Sequence, residues 1–281
     1  MSVSIAHLGP PGTYAEAATL AYLRTLGGDT ESQALLCPYP SIAQTLYAVA
    51  QGQACLAVVP VENSVEGSVA MTLDTLWQLD QLQIQQGLVL PIEHTLLSRA
   101  SDLAQIQTVY SHPQALGQCQ KWLERYLPSV QLIPTNSTTE ALKYLEGDRT
   151  SAVITSRRAA VLYNLPILAS AINDYPDNCT RFWVVGKEPS PGGSYTSLAF
   201  STPANVPGAL VKPLQVFAIR EINLSRIESR PTKRSLGEYL FFIDLEANAS
   251  VASVQAALSE LATYTEILKI FGSYNVASLQ L

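Results

Sequence analysis

Between Ile106 and Tyr163 short apolar runs alternate with helical stretches, and this alternation restricts the fold more than any other feature of the chain. Strands are expected at 106–110, 130–133 and 151–154, with helices at 114–126, 138–146 and 156–163. Strand and helix in turn imply a parallel or mixed sheet with helices on its outside. The chain begins in the same α/β style. A strand over 3–8 leads to a helix from Thr13 to about Leu26, ended by Gly27-Gly28. A helix over 41–51, a buried strand over 54–61 and a helix over 69–79, capped by Ser68, follow. A strand from Val89 to Leu97 is expected to carry the chain into a second lobe of about residues 98–170. The strand beginning at Phe182 brings it back at about residue 180. Two lobes joined by two crossings leave a cleft, where small-molecule sites tend to lie.

Lys187-Glu188-Pro189-Ser190-Pro191-Gly192-Gly193-Ser194 reads as a linker that closes a region spanning 1–190. Beyond it, residues 196–281 read as strand 196–201, helix 207–215, strands 217–227 and 237–244, helix 250–261 and strand 264–271. That is the β-α-β-β-α-β, ferredoxin-like order, more often regulatory or docking than catalytic. Few core contacts are expected to cross such a linker, and its edge strands suit pairing with another subunit.

Composition excludes several classes. A formal charge of -6 without a basic run argues against nucleic acid. No window reaches the roughly eighteen apolar residues that a membrane span needs. Met1-Ser2-Val3-Ser4-Ile5 lacks a basic stretch and reads as a strand rather than a secretory leader. Cysteines at 37, 55, 119 and 179 form no Cys-x-x-Cys pair and read as free thiols of a reducing cytoplasm. His7, His94 and His112 have no metal-ligand spacing, so no metal is expected.

Four polar stretches run into or out of apolar ones, and loops on a rigid scaffold are where sites concentrate. The first is Gly9-Pro10-Pro11-Gly12-Thr13-Tyr14, where Thr13 and Glu16 form a capping box and the helix N-terminus could receive an anion. Its glycines match neither a dinucleotide fingerprint nor a P-loop. The second is Pro60-Val61-Glu62-Asn63-Ser64. Asn63 and Ser64 offer hydrogen bonds or simply form a turn, while Glu62 orients a donor or pairs with a cation. The third is Ser111-His112-Pro113-Gln114, where His112 either caps a helix opened by Pro113 or faces a ligand beside Gln114. The fourth, Asp177-Asn178-Cys179-Thr180-Arg181-Phe182, feeds a hydroxyl and a guanidinium into a strand. The planar fork of Arg181 suits a carboxylate. If residues 180–182 already form a regular strand, Thr180 and Phe182 share a face and Arg181 points away, toward an acid.

Taken in order, these motifs closely resemble the prephenate dehydratase family joined to a C-terminal ACT regulatory domain. The matching stretches are residues 9–14, Val59-Pro60-Val61-Glu62-Asn63-Ser64-x-x-Gly67, Ser111-His112-Pro113-Gln114-Ala115-Leu116-x-x-Cys119 and Thr180-Arg181-Phe182. In the third unit they are Gly208-Ala209-Leu210 and Glu228-Ser229-Arg230-Pro231. Ala15 departs from the family, which commonly has a serine there; a backbone amide or Thr13 would have to serve instead.

The resemblance implies a catalytic region similar to type II periplasmic-binding-protein folds, followed by the ferredoxin-like unit. It implies conversion of prephenate to phenylpyruvate, carbon dioxide and water, with no metal, flavin or nucleotide required. Thr180 would face the departing hydroxyl as an oriented donor, with Asn63, Ser64 and Glu62 also catalytic. Arg181, Thr13, Gln114, His112 and Phe182 would hold substrate. Gly208, Ala209, Leu210, Glu228, Ser229, Arg230 and Pro231 would bind phenylalanine between ACT domains of a homodimer or homotetramer in the cytoplasm. Arogenate dehydratase, a solute-binding protein and a purely regulatory amino-acid-binding module are the alternatives. The second expects a signal peptide, and nearly 190 residues of α/β region argue against the third.

Overall fold

A computed structural model describes residues 3–28 and 33–280; Met1 and Ser2 of the expected first strand lie outside them. The opening apolar run is strand β1 (Ser4–Leu8), and Thr13 caps helix Tyr14–Leu26 by accepting from the Glu16 amide at 3.3 Å. Glu16 does not return to the cap amide. Its Oε2 accepts from Gly12 N at 2.6 Å instead, and the same carboxylate meets Arg158 Nε of the second lobe at 3.3 Å.

Strand β2 (Leu35–Tyr39), helix Ile42–Ala50 and strand β3 (Leu56–Asn63) follow. The third strand runs two residues further than expected and takes in Glu62 and Asn63. Ser68 is not a helix cap: Gly67–Ser68 form a short strand β4 against β3, and helix Ala70–Gln78 starts without a side-chain cap. The expected strand 89–97 is two strands in different sheets, β5 (Gln83–Pro91) and β6 (His94–Ser98), so the chain crosses between lobes at Ile92 and Glu93.

The second lobe comprises β6, β7 (Thr108–Ser111), β8 (Gln131–Pro134), β9 (Ser151–Ser156) and β10 (Ile167–Ala169), in sheet order β10-β6-β9-β7-β8. The expected helix 114–126 is broken into Pro113–Gly117 and Gln120–Tyr126, and helix 138–146 is a 3₁₀ turn, Glu140–Leu145. Strand β11 (Cys179–Gly186) then returns between β5 and β3 of the first sheet. It starts three residues before Phe182, and so already contains Thr180 and Arg181.

The ferredoxin-like unit is β12 (Tyr195–Ser201), helix Val211–Ala218, β13 (Leu224–Pro231), β14 (Tyr239–Leu245), helix Ala252–Ala262 and β15 (Ile267–Tyr274). Its strands lie in the order β13-β14-β12-β15. The expected segregation of cores fails at this boundary. One face of this sheet buries Phe242, Phe271, Tyr274, Ala199 and Leu240 in the same cluster as Val59, Val61, Leu73, Leu76 and Trp183 of the first lobe. A strand β16 (Val276–Ser278) also leaves the third unit and pairs in parallel with β5, at the edge of the first sheet. The segment 187–194 is likewise fastened down. Ser190 Oγ donates to Ile84 O at 2.7 Å, Gln85 Nε2 donates to Glu188 O at 2.7 Å, and Ser194 N donates to Asn275 Oδ1 at 3.1 Å.

Among the described residues no helix is long and apolar enough to cross a membrane.

Candidate active site

All four polar junctions open onto one cavity of about 920 Å³ between the first two lobes. It is walled largely by apolar groups, with Thr13, Asn63, Gln114 and Thr180 among its polar lining. The lobes touch across it: Ser156 Oγ donates to Gly12 O at 2.6 Å, and Tyr163 Oη to Pro11 O at 3.3 Å. Gly12 has φ 90°, and a side chain there would press on Thr139 of the second lobe, so the turn needs glycine.

Register places the central pair. On adjacent strands Thr180 lies opposite Asn63, and Arg181 opposite Glu62. Successive side chains on a strand face opposite ways. Thr180 and Phe182 therefore line the cavity, while Arg181 and Glu62 point from the other face of the sheet. This corrects two expectations. Arg181 does not reach the cleft, because its strand begins at Cys179; its Nη1 sits 3.3 Å from Asp244 Oδ2 and 3.9 Å from Glu62 Oε2. Glu62 shares that outer position and does not line the cavity. Ser64 is also absent from the cavity wall. Its Oγ accepts from Cys179 N at 3.0 Å and donates to Asn178 Oδ1 at 3.3 Å, so it ties strand ends together.

The hydrogen bonds inside the cleft have one consistent direction. Asn63 Oδ1 accepts from the backbone amides of Val65 and Glu66, both at 3.0 Å. Backbone N–H groups can only donate, so the Asn63 amide orientation is fixed. Its Nδ2 then donates to Thr180 Oγ1 at 2.9 Å and to Asn178 Oδ1 at 2.8 Å. Asn178 Nδ2 donates to Gln118 Oε1 at 3.0 Å, and Gln118 Nε2 to Glu66 Oε1 at 3.2 Å. Since Gln118 Oε1 is an acceptor, His94 Nε2, 2.9 Å away, carries the ring hydrogen. His94 Nδ1, left without a hydrogen, faces the Tyr14 hydroxyl at 2.9 Å, and the single hydrogen of that hydroxyl is shared between Nδ1 and Glu93 O, 2.7 Å away. Burial lowers the pKa of His94 below the ordinary imidazole value, with the Gln118 hydrogen bond opposing it. Thr180, buried and already accepting from Asn63, keeps its own O–H free to donate into the cavity.

Sequence reasoning passed over Glu66, His94, Gln118 and Asn178 as site residues, and noted Tyr14 only within a motif. Gln118 was findable: it lies four residues after Gln114, a spacing that shares a helical face. His94, between Glu93 and Thr95 inside the expected strand 89–97, gave no such signal. His112 accepts from Gln114 N at 3.3 Å as helix cap and also lines the cavity. Thr13 does both as well.

A second cavity, about 510 Å³, lies in the third unit beside Gly208, Ala209 and Leu210, the 232–238 connection and the start of β14. Glu228, Ser229, Arg230 and Pro231 do not line it. They are strand β13 rather than the connection expected, and alternation turns Glu228 and Arg230 toward the first lobe.

A family profile described as prephenate dehydratase matches residues 5–190, and one described as ACT domain matches 196–263. A bifunctional chorismate mutase/prephenate dehydratase of Aquifex aeolicus is 40% identical over 280 residues, 99% of this chain and 75% of that protein. The crystal structure of a prephenate dehydratase from Arthrobacter aurescens in complex with L-Phe superposes with a TM-score of 0.85 at 34% identity, covering 97% of this chain and 90% of that one. A structure described as a novel type of quorum quenching acylase superposes with a TM-score of 0.83 at 29% identity, covering 98% of each chain.

Proposed function

The chain belongs to the prephenate dehydratase family and carries an ACT domain, and from that premise we propose that Thr180 is the group that meets the departing hydroxyl. The enzyme is a lyase of phenylalanine biosynthesis that converts prephenate to phenylpyruvate. Prephenate is a dianion. Its ring carboxylate leaves as carbon dioxide, the electron pair it leaves behind completes the aromatic ring, and the ring hydroxyl departs with one added proton as water. The enzyme must favour that developing charge on oxygen over the ground state.

The observation that carries the Thr180 assignment is the fixed amide of Asn63, which donates to Thr180 Oγ1 and leaves the threonine hydrogen for the substrate. A threonine hydroxyl is too weak an acid to store a proton near neutrality, so it acts as an oriented donor while the proton comes ultimately from solvent. Among the described residues lining the cavity none is Lys or Arg. The substrate carboxylates are then met by backbone amides at the helix N-terminus, at Tyr14 and Ala15, and by Gln114, while the Thr13 hydroxyl, which donates to Leu8 O at 3.0 Å and accepts from Glu16 N, holds that turn in place. The backbone at Ala15 serves where the family usually has a serine.

The third-domain cavity beside Gly208, Ala209 and Leu210 takes L-phenylalanine as a feedback effector. The protein works as a dimer or larger assembly in a reducing cytoplasm, where its four unpaired cysteines stay thiols. Because an acylase-described structure shares the scaffold, fold alone does not choose the reaction; the family profile over 5–190 favours the lyase. The deciding experiment offers purified protein prephenate and arogenate separately, after exhaustive chelation. Phenylpyruvate from prephenate at an undiminished rate is expected; turnover of arogenate alone, or none of either, would replace this reading.

A further inference from the structure

Two adjacent rungs of one ladder face opposite ways. The Thr180–Asn63 rung faces the cleft, while the Arg181–Glu62 rung, extended by Ser68 on β4, faces the third domain. Each part of the outer rung that reaches across has a partner there. Arg181 Nη1 meets Asp244 Oδ2 at 3.3 Å, and Ser68 Oγ donates to Glu228 Oε2 at 3.1 Å. Asp244 is fully buried and is gripped from its own sheet by Arg226 Nε at 2.8 Å and by Ser197 Oγ at 2.6 Å. The Arg226 guanidinium in turn lies 5.5 Å over the ring of Trp183, which is on β11 with Thr180 and Arg181.

Glu62, Arg181, Asp244 and Arg226 thus make a four-charge cluster of zero net charge, two members from each side of the boundary. Asp244 and Arg226 are buried while Arg181 and Glu62 are partly exposed, and such clusters contribute little net stability over an apolar packing but hold one geometry. Here that geometry is the placement of a rung whose neighbour carries the donor hydroxyl.

We propose that Arg181 is a positioning residue, and that its ion pair with Asp244 lets the third domain set the placement of the Thr180 hydroxyl in the cleft. The inference rests on the reading of Thr180 as the donor to substrate. A small misplacement of a reacting group costs rate rather than affinity. The cluster therefore acts on turnover, although none of its members touches the substrate. Asp244 also lies on β14, whose opposite end, at Tyr239 and Phe241, lines the third-domain cavity, so one strand joins the two.

The test uses the full-length protein with Arg181→Met, Arg181→Lys, Asp244→Asn, the Arg181→Met/Asp244→Asn double variant, and Thr180→Ala as a control. Arg181→Met is the safer probe, because Asp244 keeps Arg226 and Ser197 when Arg181 is lost. Arg181→Met is expected to lower kcat for prephenate by about tenfold or more with KM nearly unchanged, and Arg181→Lys to recover most of it. The double variant should be no worse than the poorer single variant, since both changes break one contact. Parent-like kcat in Arg181→Met overturns the proposal, as do strictly additive losses. A raised KM at constant kcat also overturns it, by placing Arg181 on the substrate. A crippled Thr180→Ala beside an intact Arg181→Met strikes this inference alone. A fully active Thr180→Ala, or a parent without prephenate turnover, strikes the reading of the cleft and this inference with it.

Discussion

Asn63 cannot turn its side-chain amide over without setting an N–H against the backbone amides of Val65 and Glu66. That constraint, passed to Thr180, makes the hydroxyl a donor toward the cavity. Thr180→Ala is therefore expected to lower kcat by on the order of 10²–10³ with little change in KM, while Thr180→Ser keeps most of the rate. Asn63→Asp should cost a comparable factor, because a carboxylate would draw the threonine hydrogen away from substrate. Steady-state kinetics check both; an alanine variant within about twofold of the parent would remove Thr180 from the mechanism. The histidines give a pH prediction. Burial lowers the pKa of His7, His94 and His112 from the ordinary 6.5. Below pH 6.5 the unfolded chain binds protons that the folded protein refuses, so stability falls from there toward the lowered values and is unaffected by these groups above it. Urea unfolding at pH 7.5 and 5.5 should show a shallower decline in His94→Gln; equal declines would assign the effect elsewhere. That Thr180, Asn63, His112 and Gln114 line one cavity was legible because each sits where a polar stretch meets an apolar one. Arg181 was left between a substrate carboxylate and a supporting acid because its role turned on where a strand begins, and Asn178 and His94 were hidden because their partners lie far away in sequence.

The stretch 187–194 has the composition of a linker but the bonding of a packed element. A Cβ on Gly193 would stand 2.1 Å from the carbonyl carbon of Tyr274, and backbone cannot yield as a side-chain tip can. Gly193→Ala is expected to destabilise the protein by about 1–3 kcal/mol or more, read as a lowered urea midpoint. Truncation after Gly193 should fail more completely. It strips Phe242, Phe271 and Tyr274 from the cluster that holds Trp183, Leu73 and Leu76, and each such side chain buried stabilises by about 1.5–3 kcal/mol. The fragment should bind a hydrophobic dye and lack near-ultraviolet circular dichroism; a cooperatively melting fragment would contradict the fused core. The strand and helix order of the third unit was readable from apolar periodicity. What that periodicity could not reveal is which surface the outward apolar face covers, since Phe242 and Phe271 look alike whether they meet a partner subunit or the first lobe. Glu228-Ser229-Arg230-Pro231 was misplaced for a related reason. Its charges read as a connection, whereas they answer Ser68 and Asp74 across the boundary.

As a whole molecule, the chain has a cleft between its first two lobes, a core shared by the first lobe and the third unit, and a further cavity in that third unit. An effector there acts only through a difference in affinity between two arrangements, so prephenate must weaken L-phenylalanine binding by the factor that L-phenylalanine weakens prephenate binding. Equilibrium dialysis with and without a non-reacting substrate analogue measures that factor. Ala209→Leu, which intrudes on the cavity, should reduce L-phenylalanine affinity about tenfold or more, and parent-like affinity would move the effector site elsewhere. The strand Val276–Ser278 also bears on how the molecule is made. It is translated after every other described element, yet it closes the flank of Gln83–Pro91 in the first sheet. Until the ribosome has delivered it, a growing chain carries the bare amides of that flank, open to capture by a neighbouring nascent chain. Maturation of the sheet therefore waits on the synthesis of this strand, and a polysome crowded with unfinished copies is where this protein is most exposed to mispairing.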